Sequence, residues 1–444
     1  MKIILNVTKS IVPRIILFGF FVLVLIAVIA YARGYRINFD EGTVTSTGIL
    51  SVNSTPRPAK VYVNGELKGA TDVNLTLPFG KYNVEVKKDG YTSWQKQVSL
   101  KGEIVMSLDA RLFSKNPSLT PLTNLGVMKA IPIGNTDKLI LISQTGDVEA
   151  DGIYLFEVGN KALAIFPPLK PLLMKSLLLE TIDISTATVD FAPNYRQGIL
   201  TFIIDQGELA YLISLEDENT QLFEITASKE NIITAWNEEK NVEALKIIET
   251  LPKKIVPIAL SSFQIISLSP DEKKLLYLAK EDATIPIVLE PQLIGANQTV
   301  EHRDIKKNSL YIYDKKEDKN FLLPIVVSID NSLFEIDETP SQTTPTPETA
   351  TSTAQIATPK VWNEEVVKLI TEKVHWYPTS DYLAAMDVNQ IKLLQYDGTN
   401  EEIVYAGPFQ DEFFTISPDW NVLVIINLNP QLNDHGDLYS VGIK

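Results

Sequence analysis

Apolar positions follow three different patterns along this chain. Between Arg14 and Arg33, Ile15 to Ala32 form an uncharged and almost wholly apolar stretch. At helical rise its length reaches roughly 27 Å, about one hydrocarbon core, so the pattern predicts a transmembrane helix over 15–32. After a polar spacer at 33–44 the period changes to two, as in Gly48-Ile49-Leu50-Ser51-Val52, Lys60-Val61-Tyr62-Val63, Gly80 to Val86 and Trp94 to Leu100. Alternation at period two predicts half-buried strands, and Asn64-Gly65 and Asp89-Gly90 supply the reversals. Beyond residue 113 the pattern becomes a set of short apolar runs, each introduced by a proline turn.

Those runs are copies of one phrase: a strand ending, a proline, a polar turn of about four residues, then an apolar strand. Val189-Asp190-Phe191-Ala192-Pro193 leads to Ile199-Leu200-Thr201-Phe202, and Ile265 to Asp271 leads to Leu275-Leu276-Tyr277-Leu278. Val374-His375-Trp376-Tyr377-Pro378 leads to Tyr382-Leu383-Ala384-Ala385, and Phe414 to Asp419 leads to Val422-Leu423-Val424-Ile425. A weaker copy surrounds Pro132. A further strand pair follows each phrase, as at Ile391 to Gly398 with Glu402 to Tyr405, and four strands per unit predict a β-propeller over 113–444. Five or six blades are expected, with Asp437 to Ile443 pairing a strand near 113–125 to close the ring. The expected fold class is therefore mainly β: a transmembrane helix, a small all-β domain at 45–112, then the propeller.

The small domain resembles the PEGA family. The likeness rests on Ser54-Thr55-Pro56-Arg57-Pro58-Ala59-Lys60-Val61-Tyr62-Val63-Asn64-Gly65, Gly69-Ala70-Thr71, Leu77 to Tyr82, and Lys88-Asp89-Gly90-Tyr91-Thr92-Ser93-Trp94. The naming tetrapeptide reads Pro56-Arg57-Pro58-Ala59, and Asp72 stands where a proline often follows the Gly-x-Thr element. The resemblance implies an adhesive or scaffolding module at a bacterial or archaeal surface and implies no chemistry. Tyr91 and Trp94 beside the turn are expected in the core rather than on a carbohydrate-stacking face. The Ser-Pro-Asp phrases at Ser269-Pro270-Asp271 and Ser417-Pro418-Asp419 resemble the WD40-like repeats of TolB-type periplasmic propellers, while Pro193-Asn194 and Pro378-Thr379 depart from them. That likeness implies a protein-binding platform.

Two insertions interrupt the repeats. Ser228 to Pro252 has helical apolar spacing with Ser228 as cap, and its Trp236-Asn237-Glu238-Glu239 recurs as Trp362-Asn363-Glu364-Glu365. The repeated tetrapeptide predicts corresponding starts of an internal duplication, with solvated carboxylates. Residues 337–360 carry a Pro/Thr-rich tract with no apolar face and are expected to be a disordered external loop.

Charge narrows the partners. The net charge is -15, yet the first 36 residues hold Lys2, Lys9, Arg14, Arg33 and Arg36 and no acidic residue, leaving the remainder near -20. Such a body repels phosphate backbones, so nucleic acid is not an expected partner. Lys2, Lys9 and Arg14 precede the apolar stretch, and Asp40 and Glu41 follow Arg33 and Arg36. This bias predicts a cytoplasmic 1–14 and an extracytoplasmic body, single-pass in the cell membrane. Ala30-Tyr31-Ala32 also matches a signal-peptidase pattern, a rival reading that leaves the body on the same side. The absence of cysteine removes disulfides, thiolate metal sites and a thiol nucleophile.

No catalytic, cofactor or metal residue is expected. His302, His375 and His435 are far apart in sequence and in no ligand spacing, so satisfied or surface roles are expected for them. Ser269 and Ser417 belong to the repeated turn, and Asn433-Asp434-His435-Gly436-Asp437 reads as a turn rather than a calcium loop. The expected role is a membrane-anchored, non-catalytic scaffold that docks an envelope protein or a cell-wall glycan. A propeller hydrolase with carboxylates converging across blades, and a surface-layer component, are the alternatives.

Overall fold

A computed structural model describes residues 2–32, 35–38, 43–102, 104–134, 136–147, 149–159, 169–205, 207–327, 359–410, 413–428, 430–431 and 434–444. The chain is mainly β and forms two compact units, residues 1–113 with 292–299, and residues 114–291 with 300–444.

The first unit begins with helix α1 (Lys2–Ala32), longer than the predicted span because helical backbone also runs through residues 2–14. In its Arg14–Ala32 stretch no residue is buried. Eight strands come next: β1 (Tyr35–Asn38), β2 (Thr43–Thr55), β3 (Lys60–Val63), β4 (Glu66–Ala70), β5 (Val73–Pro78), β6 (Gly80–Lys87), β7 (Ser93–Leu100) and β8 (Val105–Arg111). They make two sheets, β4-β3-β6-β7 and a second in which β2 pairs with β1, β5 and, in parallel, β8. The alternation of the sequence is reproduced in burial: Leu50, Val52, Val61, Val84, Val86, Trp94 and Val98 share one core. Asn64 and Gly65 both take positive φ, 51° and 82°, as the tight β3-β4 reversal requires.

The motif residues of this unit also explain its loops. Thr71 accepts from the Ala59 amide (2.9 Å) and shares a 2.5 Å hydroxyl contact with Ser54. This ties the Pro56-Arg57-Pro58-Ala59 loop to the strand ends. Thr92 and Phe113 exchange two hydrogen bonds at 2.8 and 3.0 Å, which fixes where the unit ends.

Among the described residues the second unit holds five four-stranded antiparallel sheets. The first is Val127–Pro132, Lys138–Ser143, Gly152–Glu157 and Leu169–Met174; the second is Thr188–Phe191, Gln197–Ile204, Gly207–Ser214 and Phe223–Glu224. The third is Phe263–Leu268, Lys274–Ala279, Leu310–Asp314 and Lys319–Leu322; the fourth is Val374–Trp376, Tyr382–Asp387, Gln390–Gln395 and Glu402–Ala406. The fifth combines Phe414–Ile416, Val422–Ile426 and Asp437–Gly442 with Ser118–Pro121 from the start of the unit. Every repeat phrase lands on the first two strands of a sheet, including the weak copy at Pro132.

Apolar runs such as Leu275 to Leu278 and Val422 to Ile425 are buried throughout because both faces of these sheets are covered. One core joins the first and second sheets (Ile140, Ile142, Leu200, Phe202, Ile213), another the third and fourth (Leu276, Leu278, Leu383, Leu394), and another the fifth and first (Leu139, Leu141, Leu423, Ile425, Leu438). Tyr377 of the fourth sheet's turn donates its hydroxyl to the Trp420 carbonyl of the fifth's (3.1 Å).

The hairpins that join the first two strands of the sheets share one geometry. The amide of the fourth turn residue donates to the carbonyl of the first: Tyr195 to Ala192, Glu272 to Ser269, Ser380 to Tyr377 and Trp420 to Ser417. Those four donors all have positive φ, between 54° and 74°. The first hairpin keeps this hydrogen bond, Thr136 to Ile133, but places Gly134 (φ 51°) where the others have proline. A side chain at Gly134 would collide with the ring of Tyr195 from the second sheet's turn, so glycine is needed there twice over.

Helix α2 (Lys229–Glu249) and helix α3 (Val256–Ser262) pack on the third sheet through Ala244, Ile248, Leu251, Ile255 and Ala259. Helix α4 (Glu364–Thr371) packs between the third and fourth through Val366, Val367 and Ile370. Two expectations are corrected here. Ser228 makes no side-chain cap, because a turn of 3₁₀ helix precedes α2 and its hydroxyl donates back to Ile225 (3.2 Å). The recurrent tetrapeptides do not correspond, since Trp236-Asn237-Glu238-Glu239 lies inside α2 whereas Asn363 is the N-cap of α4, accepting from the amides of Glu365 and Val366. Of the 337–360 tract, residues 337–358 lie outside the described residues.

Asp437 fastens the fifth sheet to the chain segment that leads into the first. Its Oδ1 accepts from the Thr123 hydroxyl (3.1 Å) and from the amides of Leu125 (2.8 Å) and Gly126 (3.2 Å). Asp437→Ala orphans these donors and is expected to cost about 2 kcal/mol. Urea unfolding of the variant against the parent chain measures it, and an unchanged midpoint contradicts the role.

Candidate functional sites

A partly buried polar cluster forms around α2, α4 and the first strand of the second sheet. Lys240 is a buried lysine on α2, and its ammonium meets Glu364 Oε1 at 2.8 Å. The other Glu364 oxygen accepts the Trp362 indole N–H at 3.0 Å. Asn241, next along α2, accepts from the Val361 and Trp362 amides (2.9 and 3.1 Å) and donates to the Pro359 carbonyl (3.1 Å). Helix α2 thus grips the segment that leads into α4. Glu364 is half-buried and bonded through both oxygens, which corrects the expectation of a solvated carboxylate; its position at the start of a helix also suits a negative charge.

Asp190 of the second sheet lies within electrostatic reach of this pair. Burial raises its carboxyl above the usual range and Glu364 adds to the rise, while Lys368, Lys229 and Lys240 oppose it. Burial likewise raises the Tyr195 hydroxyl, with Glu364 and Glu243 contributing. Glu364, with both oxygens engaged, works as a clamp. Spacing along the chain holds no hint of this convergence, because Asp190, Lys240 and Glu364 come from three separate elements.

The three histidines stay apart. The ring of His375 stands edge-on to Phe414 of the fifth sheet at 4.8 Å, and its Nε2 is buried without a hydrogen-bond partner, so the ring is only partly satisfied. Burial lowers its pKa from 6.5 to about 4, opposed by a hydrogen bond to the Phe414 backbone. His302 belongs to the segment between the short paired strands Ala283–Thr284 and Asp304–Ile305, and its amide donates to the Asn320 carbonyl (2.7 Å). His435 sits against Gly126.

The turn serines are committed to structure. Ser269 donates to Asp271 (2.7 Å) and accepts the Lys274 amide (3.0 Å); Ser417 bonds Asp419 and accepts the Asn421 amide (3.0 Å). Burial opposes ionisation of Asp271, yet the Ser269 hydroxyl, the Lys273 amide and the Lys274 charge together hold its pKa down to about 2. Asp437 of the expected turn is consumed by the bonds described above, and Asn433 lies outside the described residues. Trp94 is buried and Tyr91 packs against the same core, as expected. Among the described residues no three His, Asp or Glu side chains form a metal-ligand group.

Residues 47–116 match the PEGA domain family. The small domain is a PEGA domain. That match covers most of β2 and all of β3 to β8, and ends three residues past Phe113. No curated protein matches the chain. Among solved structures, TolB from Acinetobacter baumannii is similar at 10% identity over 81% of this chain and 59% of its own, with a TM-score of 0.21. The chain thus spans a little over half of that protein. A TolB from Agrobacterium tumefaciens is similar at 11% identity, 74% and 83% coverage and TM-score 0.18, and the AfRom2 CNH domain at 12%, 74% and 99% and 0.24. With TM-scores this low, the architecture of the second unit rests on its own sheets and not on these likenesses.

His375 makes stability depend on pH. The unfolded chain takes up a proton near pH 6.5, whereas the folded one resists until about pH 4, so stability is full above 6.5 and is lost as pH falls through that window. The difference amounts to as much as about 3 kcal/mol. His375→Phe is expected to flatten urea midpoints compared between pH 7 and pH 4.5; an equally steep fall in the variant contradicts the assignment.

Proposed function

We propose that this chain is a single-pass, membrane-anchored protein of the cell envelope. In this reading a PEGA domain separates the membrane from an extracytoplasmic, non-catalytic docking platform. The carrying observation is α1, whose Arg14–Ala32 stretch is apolar, long enough to cross a bilayer and without a buried residue. Lys2, Lys9 and Arg14 before the span favour a cytoplasmic amino terminus. For the platform, the support is the set of five four-stranded sheets, the last completed by Ser118–Pro121 from the beginning of the unit. A strand exchange of this kind supports a propeller of five or six blades, since it is a way for such a ring to remove its open edge. Partners of this platform are an envelope protein or a cell-wall glycan.

One observation favours a second reading, a hydrolase acting on envelope glycans: Asp190, whose carboxyl burial raises above the usual range, lies within electrostatic reach of the Glu364 carboxylate. Against it stands the engagement of both Glu364 oxygens. The two readings separate when the full chain, purified in lipid nanodiscs, is incubated with envelope extract and assayed for retained partner and released sugar. Docking predicts retention without release. Sugar release that disappears in Asp190→Asn sinks the docking reading and establishes a catalyst.

A further inference from the structure

The end of the PEGA domain from which α1 departs carries large apolar side chains facing solvent. Tyr35 opens β1 three residues after Ala32, and β1 pairs with β2 so that Tyr35 stands opposite Ser46. The Ser46 carbonyl accepts the Phe79 amide at 3.0 Å, and a side chain at Gly102 would strike Ser46. Three residues reach at most about 10 Å, and two cross-strand steps add about 5 Å each. Phe79 therefore lies within about 20 Å of the helix end, beside the headgroup layer that flanks a hydrocarbon core.

At this end Phe79 is 65% exposed, and Val105 and Ile49, opposite each other in the β2-β8 pair, are 63% and 38% exposed. The outward face of that sheet changes polarity with distance from the tether. Its nearest rung is Thr76, Ile49 and Val105; the next is Asn74, Ser51 and Ser107; farther out Asn53 donates to Asp109 at 2.9 Å. Lys101 is exposed with its carbonyl against Gly48, next to Ile49, and the exposed Lys81 comes two residues after Phe79. Tyr31 and Tyr35, both exposed, add aromatic rings at the helix exit. Single exposed apolar residues are ordinary, but a graded face with its apolar end at the tether points to one neighbour.

We propose that this end of the PEGA domain is seated in the lipid interface. Phe79, Ile49 and Val105 enter the headgroup layer, Tyr31 and Tyr35 lie in the aromatic belt, and Lys81 and Lys101 meet lipid phosphates. The proposal rests on α1 being a retained anchor. Seating fixes the domain against the bilayer and makes it a rigid foot rather than a freely swinging spacer.

Because the chain has no cysteine, single labelling sites are unambiguous. Phe79→Cys, Val105→Cys, Asp109→Cys and Leu23→Cys variants of the full chain carry an environment-sensitive fluorophore in nanodiscs with or without brominated lipid. Labels at 23, 79 and 105 are expected to be quenched at least about twofold by brominated lipid, and the label at 109 to be unaffected. Val105 supplies the reading if Phe79→Cys does not fold. Quenching at 23 with 79 and 105 behaving like 109 overturns the seating while the anchor stands; no quenching at 23 overturns both.

Discussion

A four-stranded sheet with apolar side chains on both faces must be covered twice, and the second unit is organised by that requirement. Leu139 and Leu141 face the core shared with the fifth sheet, while Ile140 and Ile142 face the core shared with the second. No sheet of this kind is stable alone, because stripping either face of its neighbour returns a row of Leu, Ile and Val to water at about 25 cal/mol per Å². The last sheet borrows a strand from the start of the unit, and Asp437 secures the segment that follows that strand with three hydrogen bonds. Chain ends and sheet edges are thereby protected by the same contact.

Helices enter where sheets alone leave a gap. The Lys240-Glu364 pair, with Trp362 and Asn241 around it, joins α2 to the segment before α4, and the apolar sides of both helices cover the third sheet. A paired and hydrogen-bonded lysine tolerates burial that an unpaired one would not. This junction also brings Asp190 and Tyr195 under the influence of charges from two helices, which makes it a polar niche where sheet and helices share electrostatics.

Much of this architecture was legible in the sequence. Period-two alternation located β3, β6 and β7, and proline turns located the first two strands of four of the five sheets, because φ and the missing N–H of proline fix a hairpin corner whatever surrounds it. Less legible were β1, β5 and β8, whose roles depend on pairing with β2 across long separations, and α3, too short to show a period. The Trp-Asn-Glu-Glu recurrence misled, since a four-residue match carries no information about whether it starts a helix or lies inside one. Ser228 failed as a cap because capping depends on backbone φ and ψ that its neighbours set. The polar niche around Asp190 was invisible to spacing, being assembled from three elements far apart along the chain.

The central claim is that α1 is a retained anchor with the body outside the cytoplasm. Its most direct test is protease digestion of right-side-out membrane vesicles that carry the full chain, with mass analysis of what remains in the membrane. Loss of both β units with survival of a short fragment containing residues 2–32 is the predicted result. Protection of the body until the vesicles are opened, or release of an undigested body beginning after Ala32, contradicts it.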